Sequence, residues 1–454
     1  MNYFQPILLL ICTFAIIACS KRKYLEIDPN SSTIKTLADC QSLLNNKAVF
    51  NETPVLGETS TDSYYIETRL FSYVSKPEQN AYTWKVDIFE GQNNVPDYSI
   101  PYSQVYIANE VINALLDINV SDIEQAEKNN IEGSACFLRA YAFYNLLQVF
   151  AVPYESTTAL SDNGIALPLT PDINSVYSRA SMKASYEQVI ADLLQARRLL
   201  RDKVYPSQPS KPAAYAMLAR VFLSMRDYTK AGAYADSCLQ QYSKLMDYNS
   251  LNYAVVFPIS NLNDEILYNS NLLSSNGFIV ARTGYGCMVD SALYASYAVD
   301  DLRRNAFFKP YSNNQHIYSS SYTGNQFSFS GLATDEVYLI RAECRARIGN
   351  IQGALEDLNI LLKNRYATNS FQPYSAASIR NAVQLILEER KKELVFRGLR
   401  WTDLRRLNKE GAGIWLRRKV NDNLYQLPPN DLRYTLPIPE DAITGSKIVQ
   451  NPRE

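Results

Sequence analysis

Residues 386–406, ILEERKKELVFRGLRWTDLRR, restrict the possible folds of this chain more than any other stretch. Seven basic residues stand against four acidic ones, a net charge of +3. Apolar Ile379, Ala382, Val383, Ile386, Leu387 and Leu394 recur at the helical period, and Arg390 and Arg397 fall in the middle of the same stripe. An arginine centred on an apolar helix face points inward, where its charge needs a carboxylate. Glu389, Glu393 and Asp403 are the nearby candidates. The competing readings are a nucleic-acid patch and a catalytic carboxylate set. The formal net charge of the 454 residues is only −1, which gives no electrostatic basis for a polyanion partner.

Enzyme chemistry finds little support. His316 is the single histidine, so HExxH zinc chemistry is impossible, and it lies in a polar Asn/Gln/Tyr loop without a triad pattern. No P-loop occurs, and Gly284-Tyr285-Gly286 lacks the third glycine of a dinucleotide turn. A glycosidase needs only two carboxylates, and 46 acidic residues make chance pairs inevitable. The seven cysteines contain no CxxC pair, so neither a zinc site nor a disulfide framework is expected. Cys136, Cys238 and Cys344 sit in helical patterns as small buried hydrophobes. We expect no cofactor and no metal.

The N-terminus carries an address. Residues 7–18 form an uncharged apolar run too short to span a bilayer, as in the h-region of a secretory signal. It ends in Ile16-Ile17-Ala18-Cys19, which resembles a bacterial lipobox, although MNYFQP lacks the usual basic residue. Cleavage after residue 18 would leave Cys19 as the lipidated first residue, and acyl chains there anchor without a transmembrane helix. Ser20-Lys21-Arg22-Lys23 follows, where acidic residues often accompany surface export.

Beyond the tether Tyr24–Pro29, helical periodicity predicts helices over 98–118, 130–150, 182–202, 212–225 and 228–242, with an extended loop from Pro153 to Pro171. Two segments repeat a pattern: Ala219 and Ala231, like Ala342 and Ala354, lie twelve residues apart around a turn. Small residues at those offsets let antiparallel helices approach closely, as in tetratricopeptide pairs, near 210–242 and 335–365. The copies are not tandem. Residues 243–335 between them are rich in Asn, Ser, Tyr and Gly and form a loop-rich insertion.

Tyrosine dominates the aromatics, 33 against three tryptophans. Most belong between helices, but two polar aromatic regions suit a ligand with hydroxyls and flat C–H faces. They are Asp62–Trp84 and Arg282–Tyr322. The ligand-binding candidates are Trp84, Tyr285 and Asp62, then Tyr65, Arg282, Tyr311 and Tyr318, chosen for aromatic or hydrogen-bonding side chains in loop-like sequence. Trp401 and Trp415 read as core.

Several segments together resemble the SusD/RagB family of Bacteroidetes outer-membrane nutrient-binding lipoproteins. They are the lipobox with YLEIDP, GSACFLRAYAFYNLLQVFAVPY, AAYAMLARVFLSMRDYTKAGAYA, RAECRARIGNIQGALEDLN, EERKKELVFRGLRWTDLRR and the ending YTLPIPEDAITGSKIVQNP. At Arg397 that family commonly has Glu. The resemblance implies a signal peptide at 1–18 and one mainly α-helical domain over 19–454, with tetratricopeptide-like pairs and long irregular ligand-binding loops. It further implies a non-catalytic protein, lipid-anchored at the cell surface, that passes oligosaccharides to a SusC/RagA-type TonB-dependent transporter. Peptide uptake in the manner of RagB, and an envelope scaffold without small ligand, are the alternatives.

Overall fold

A computed structural model of the chain describes residues 34–274, 287–319 and 321–454. The signal segment, Cys19, Arg282 and Tyr285 lie outside the described residues. Ten helices of eight residues or more carry the described architecture: α1 (Leu37–Leu44), α2 (Pro96–Asp117), α3 (Gln125–Phe150), α4 (Met182–Leu199), α5 (Lys211–Ser224), α6 (Tyr228–Gln241), α7 (Thr334–Arg347), α8 (Ile351–Lys363), α9 (Ile379–Glu393) and α10 (Arg400–Lys409). Side-chain caps start most of them. Thr36 and Asp39 form a capping box on α1, and Ser181, Ser210, Asp227, Asn350 and Ser378 each accept from a backbone N–H in the first turn of α4, α5, α6, α8 and α9. Among the described residues no helix is long and apolar enough to cross a membrane.

The predicted helices appear to within a few residues at each end, and the fold is mainly α-helical. Helix α3 is buried on almost every face, so it has no amphipathic stripe and serves as the core's axis. Helices α2 and α4 flank it, and α5 and α6 follow as an antiparallel pair across the turn at Arg226. The second pair, α7 and α8, turns at Gly349, whose φ of +92° is strained for any L-residue.

The non-tandem spacing of the two pairs does not separate them in space. Helix α6 packs directly on α7, and the insertion loops out and returns. The contact is close because Gly232 has no side chain: a Cβ there would stand 3.0 Å from that of Cys344. Cys136, Cys238 and Cys344 are buried free thiols.

Within and around the insertion the chain forms short two-stranded ribbons. β1 (Tyr64–Ile66) pairs antiparallel with β2 (Cys287–Val289), placing Tyr65 opposite Met288. β3 (Phe308–Pro310) and β4 (His316–Tyr318) make a hairpin. β5 (Leu416–Val420) and β6 (Asn423–Leu427) make another near the C-terminus.

The charged stretch becomes the centre of an internal ion network. Arg390 lies buried on α9 and donates to Asp403 at 2.8 Å. Arg406 donates to Asp403 and bidentately to Glu343, at 2.7 and 2.8 Å. Glu336 on α7 receives Arg220 of α5 at 2.6 and 2.9 Å. Glu389 and Glu393 serve other arginines than expected: Arg303 reaches both, and Arg365 bridges Glu393 to Glu265. Arg397 departs further from the sequence reading. Helix α9 ends at Glu393, and Phe396 (φ +57°) and Gly398 (φ +73°) turn the chain, so Arg397 leaves the stripe and pairs with Asp335. Tyr322 and Phe329 stack beside its guanidinium at 4.8 and 4.9 Å.

Removing one partner strands the others without water. We expect Arg390→Ala to cost about 3–5 kcal/mol, read as a lower urea midpoint, while ligand affinity of the folded protein stays unchanged. The network also fixes a pH profile. Burial raises the carboxyl pKa values, but the arginines more than offset it at Glu336, Glu343, Glu393 and Asp403, all held below their ordinary values. Depressed carboxylates stabilise the fold above their unfolded pKa and lose that contribution as pH falls through the folded one. Glu265 runs the other way: burial pushes it up to about 7, so its contribution is lost as pH rises toward that value. The melting temperature should therefore fall progressively below pH 4.5, the ordinary glutamate value, and an unchanged melting temperature in stronger acid would contradict the network.

Candidate functional site

The ribbons gather a polar aromatic face from three separate segments. On β1 the alternation buries Tyr64 and Ile66 and turns Tyr65 outward. Between β3 and β4 the chain reverses through Asn313 and Asn314, at φ of +51° and +61°, a region asparagine tolerates. The turn is closed by Tyr311 N–H donating to Gln315 O at 2.8 Å. Gln315 Nε2 then donates to Tyr65 Oη at 3.2 Å, joining residues 250 positions apart.

Beside them His316 lies flat on Tyr294, ring centroids 3.5 Å apart and planes 15° from parallel. Tyr294 comes from the short helix Ser291–Ala295, and Arg304 places its guanidinium 4.8 Å from the tyrosine ring and donates to Tyr294 Oη at 3.2 Å. Burial and the Arg304 charge together lower the His316 pKa, favouring the neutral imidazole. The histidine is thus a plate in a stack. Tyr311, 37 % exposed, adds a free ring, and Asn313, Asn314 and Gln315 add amides that both donate and accept. Such a surface can hold a polyol by stacking and hydrogen bonds.

The predicted residues divide. Tyr65 and Tyr311 are linked through Gln315, whose side-chain amide reaches Tyr65 Oη and whose carbonyl accepts from Tyr311 N–H. Asp62 holds an internal ion pair: Arg400 donates to both its oxygens at 2.7 and 2.8 Å, and Lys391 adds a third contact at 3.0 Å. Burial alone would raise its pKa, but these cations hold it well below the usual carboxylate range. Tyr318, on the hairpin, is only 4 % exposed and packs against Phe396 at 4.6 Å.

Trp84 requires the plainest correction. It is 2 % exposed, its indole N–H donates to Ser60 O at 3.0 Å, and its ring lies 4.8 Å from the Arg418 guanidinium. Tyr82 and Tyr64 stand on the same guanidinium at 3.7 and 5.3 Å, and Arg418 donates to the Thr59, Thr61 and Tyr82 carbonyls. The aromatic density of 62–84 therefore builds a cage around a buried arginine and offers no ring from Trp84 to a ligand. Trp401 is buried as expected, packed on Tyr434 at 4.8 Å, but Trp415 is 49 % exposed, in the irregular stretch between the Gly411 and Gly413 turn and the strand that starts at Leu416. Sequence reasoning missed Tyr294 and Arg304, since nothing in SALYA or RRNAF marks them before the hairpin brings His316 over them.

Comparison with known proteins gives two family matches. Residues 23–223 match a model described as starch-binding and associating with the outer membrane, and residues 303–453 match the SusD family model. SusD-like protein P2 of Formosa agariphila is 24 % identical, with 77 % of each chain covered. Among solved structures, a SusD superfamily protein from Bacteroides thetaiotaomicron superposes with a TM-score of 0.75 at 23 % identity, covering 92 % of this chain and all of that one. A laminarin-binding SusD-like protein gives 0.65 at 18 %, covering 92 % and 99 %. These likenesses concern the fold.

Trp84→Ala should act on stability. Deleting a fully packed indole costs about 3–5 kcal/mol, seen as a lower denaturation midpoint, whereas a mutant that melts normally but loses ligand would return Trp84 to the site.

Proposed function

The chain belongs to the SusD/RagB family, and on that premise we propose that it is a non-catalytic glycan-binding lipoprotein of the outer membrane. In this reading Cys19 carries the lipid, the signal peptide 1–18 is removed, and residues 19–454 act as one domain at the cell surface. The ligand is an oligosaccharide passed to a SusC/RagA-type TonB-dependent transporter over which the domain closes. The observation that carries the binding is the convergence of Tyr65, Tyr311, Gln315 and the His316–Tyr294 stack on one exposed face. Rings there meet the C–H faces of a sugar, and amides meet its hydroxyls. Arg282 and Tyr285, expected from sequence, belong to the same proposal, because they lie within five residues of Cys287, which opens the strand paired with that of Tyr65.

The test is titration of the mature chain carrying Cys19→Ala against a panel of oligosaccharides and peptides. We expect binding to a glycan, and Tyr311→Ala to weaken it about tenfold, or about 1.4 kcal/mol, without changing the melting temperature. Binding of peptides alone would overturn the glycan reading. The native lipoprotein should co-purify with a large TonB-dependent barrel, and its recovery as a free monomer from gently solubilised membranes would count against the transporter partnership.

A further inference from the structure

A groove of about 1270 Å³ runs along α2, away from the loop face. Its floor is set by helical geometry. Tyr98, Tyr102 and Tyr106 follow one another at four-residue spacing, so they share one face of α2 at steps of about 6 Å. Tyr177 closes the opposite wall.

All four rings are partly buried and most are held. Tyr98 packs edge-on to Phe150 at 5.0 Å and against Tyr102 at 4.9 Å. Tyr102 Oη donates to Ala166 O at 3.1 Å, and the Tyr177 hydroxyl sits 3.4 Å from that of Thr170. Rings already fixed lose little entropy when a ligand stacks on them. No lysine or arginine lines the groove, whereas Asp39, Glu110, Asp117 and Asp441 do. Asp39 and Asp441 each use one oxygen on backbone N–H groups and keep the other as an acceptor.

We propose that this groove is a second carbohydrate site, specific for neutral oligosaccharides. Carboxylates accept from sugar hydroxyls, the tyrosine face stacks on sugar rings, and the four lining carboxylates, only partly offset by Lys35 beside Asp39 and Arg179 near Tyr98 and Tyr102, repel uronate or sulfated chains. The proposal rests on the reading of the protein as a glycan binder, but uses residues that the loop face does not.

The experiment starts from the mature Cys19→Ala chain with the loop face disabled by Tyr65→Ala and Tyr311→Ala. Neutral glucan oligosaccharides are titrated against it, with an oligogalacturonate as the anionic probe, while hydrogen exchange is followed over the exposed residues 172–176. We expect residual neutral binding that protects 172–176 and drops at least tenfold on adding Tyr106→Ala and Tyr177→Ala. The anionic probe should bind at least tenfold more weakly at low salt, the gap narrowing as salt rises. Asp117→Lys, at an exposed position, should narrow it without unfolding the chain. Loss of all glycan binding in the loop-face variant overturns the second site and leaves the first reading standing. Binding at the groove with none at the loop face supports this site and overturns the first reading. A further result also overturns it: if deleting residues 20–33, which include basic Lys21-Arg22-Lys23, raises exchange at 172–176 in the absence of glycan, the occupant is the chain's own tether.

Discussion

The structure depends on charges that water cannot reach. Arg220, Arg303, Arg365, Arg390, Arg397 and Arg406 are all buried, and each has a carboxylate within hydrogen-bonding distance. A charge left without a carboxylate or a set of carbonyls at those depths would be costly, so each arginine commits the segments that answer it. Their carboxylates come from α7, α9, α10 and the insertion. Satisfying one arginine therefore fixes the relative positions of segments far apart in sequence. Tyr322 extends the same logic: its hydroxyl lies within hydrogen-bonding distance of both Glu265 and Asp335, with one proton to share between them, and so joins the Arg365 pair to the Arg397 pair.

This requirement explains why an irregular insertion can carry a defined surface. Glu265, Arg303 and Tyr322 root it in the network, and the ribbons above need only short pairings to hold Tyr65, His316 and Tyr311 in place. The tyrosine excess divides accordingly. Tyr64, Tyr82, Tyr248 and Tyr322 are buried beside guanidinium groups, where ring faces and hydroxyls help solvate charge. Tyr65, Tyr311 and the tyrosines of α2 keep part of their surface exposed.

Much of the helical scaffold was legible in sequence because a helix buries its own periodicity. The Ala219/Ala231 and Ala342/Ala354 spacings located both helix pairs, and the caps at Ser210, Asp227 and Asn350 started their helices. Their stacking was hidden, because Gly232 against Cys344 is a contact between helices on either side of the insertion. The site was less legible. A run such as Asp62–Trp84 shows aromatic density but not direction, and direction separates Tyr65 from Trp84.

By itself, the sequence determined the class of the fold, the family, and that Arg390 must be answered by an internal acid. The fold class and the internal acid follow from local period and the cost of burying charge, and the family from the resemblance of several segments in their order along the chain. Only the tertiary structure decided which acid answers which arginine: Asp403 for Arg390, Asp335 for Arg397, and Arg303 with Arg365 for the glutamates of α9. It also decided that Trp84 serves Arg418 and that His316 lies on Tyr294. Pairings of this kind depend on distances between segments tens or hundreds of residues apart, which no local pattern encodes.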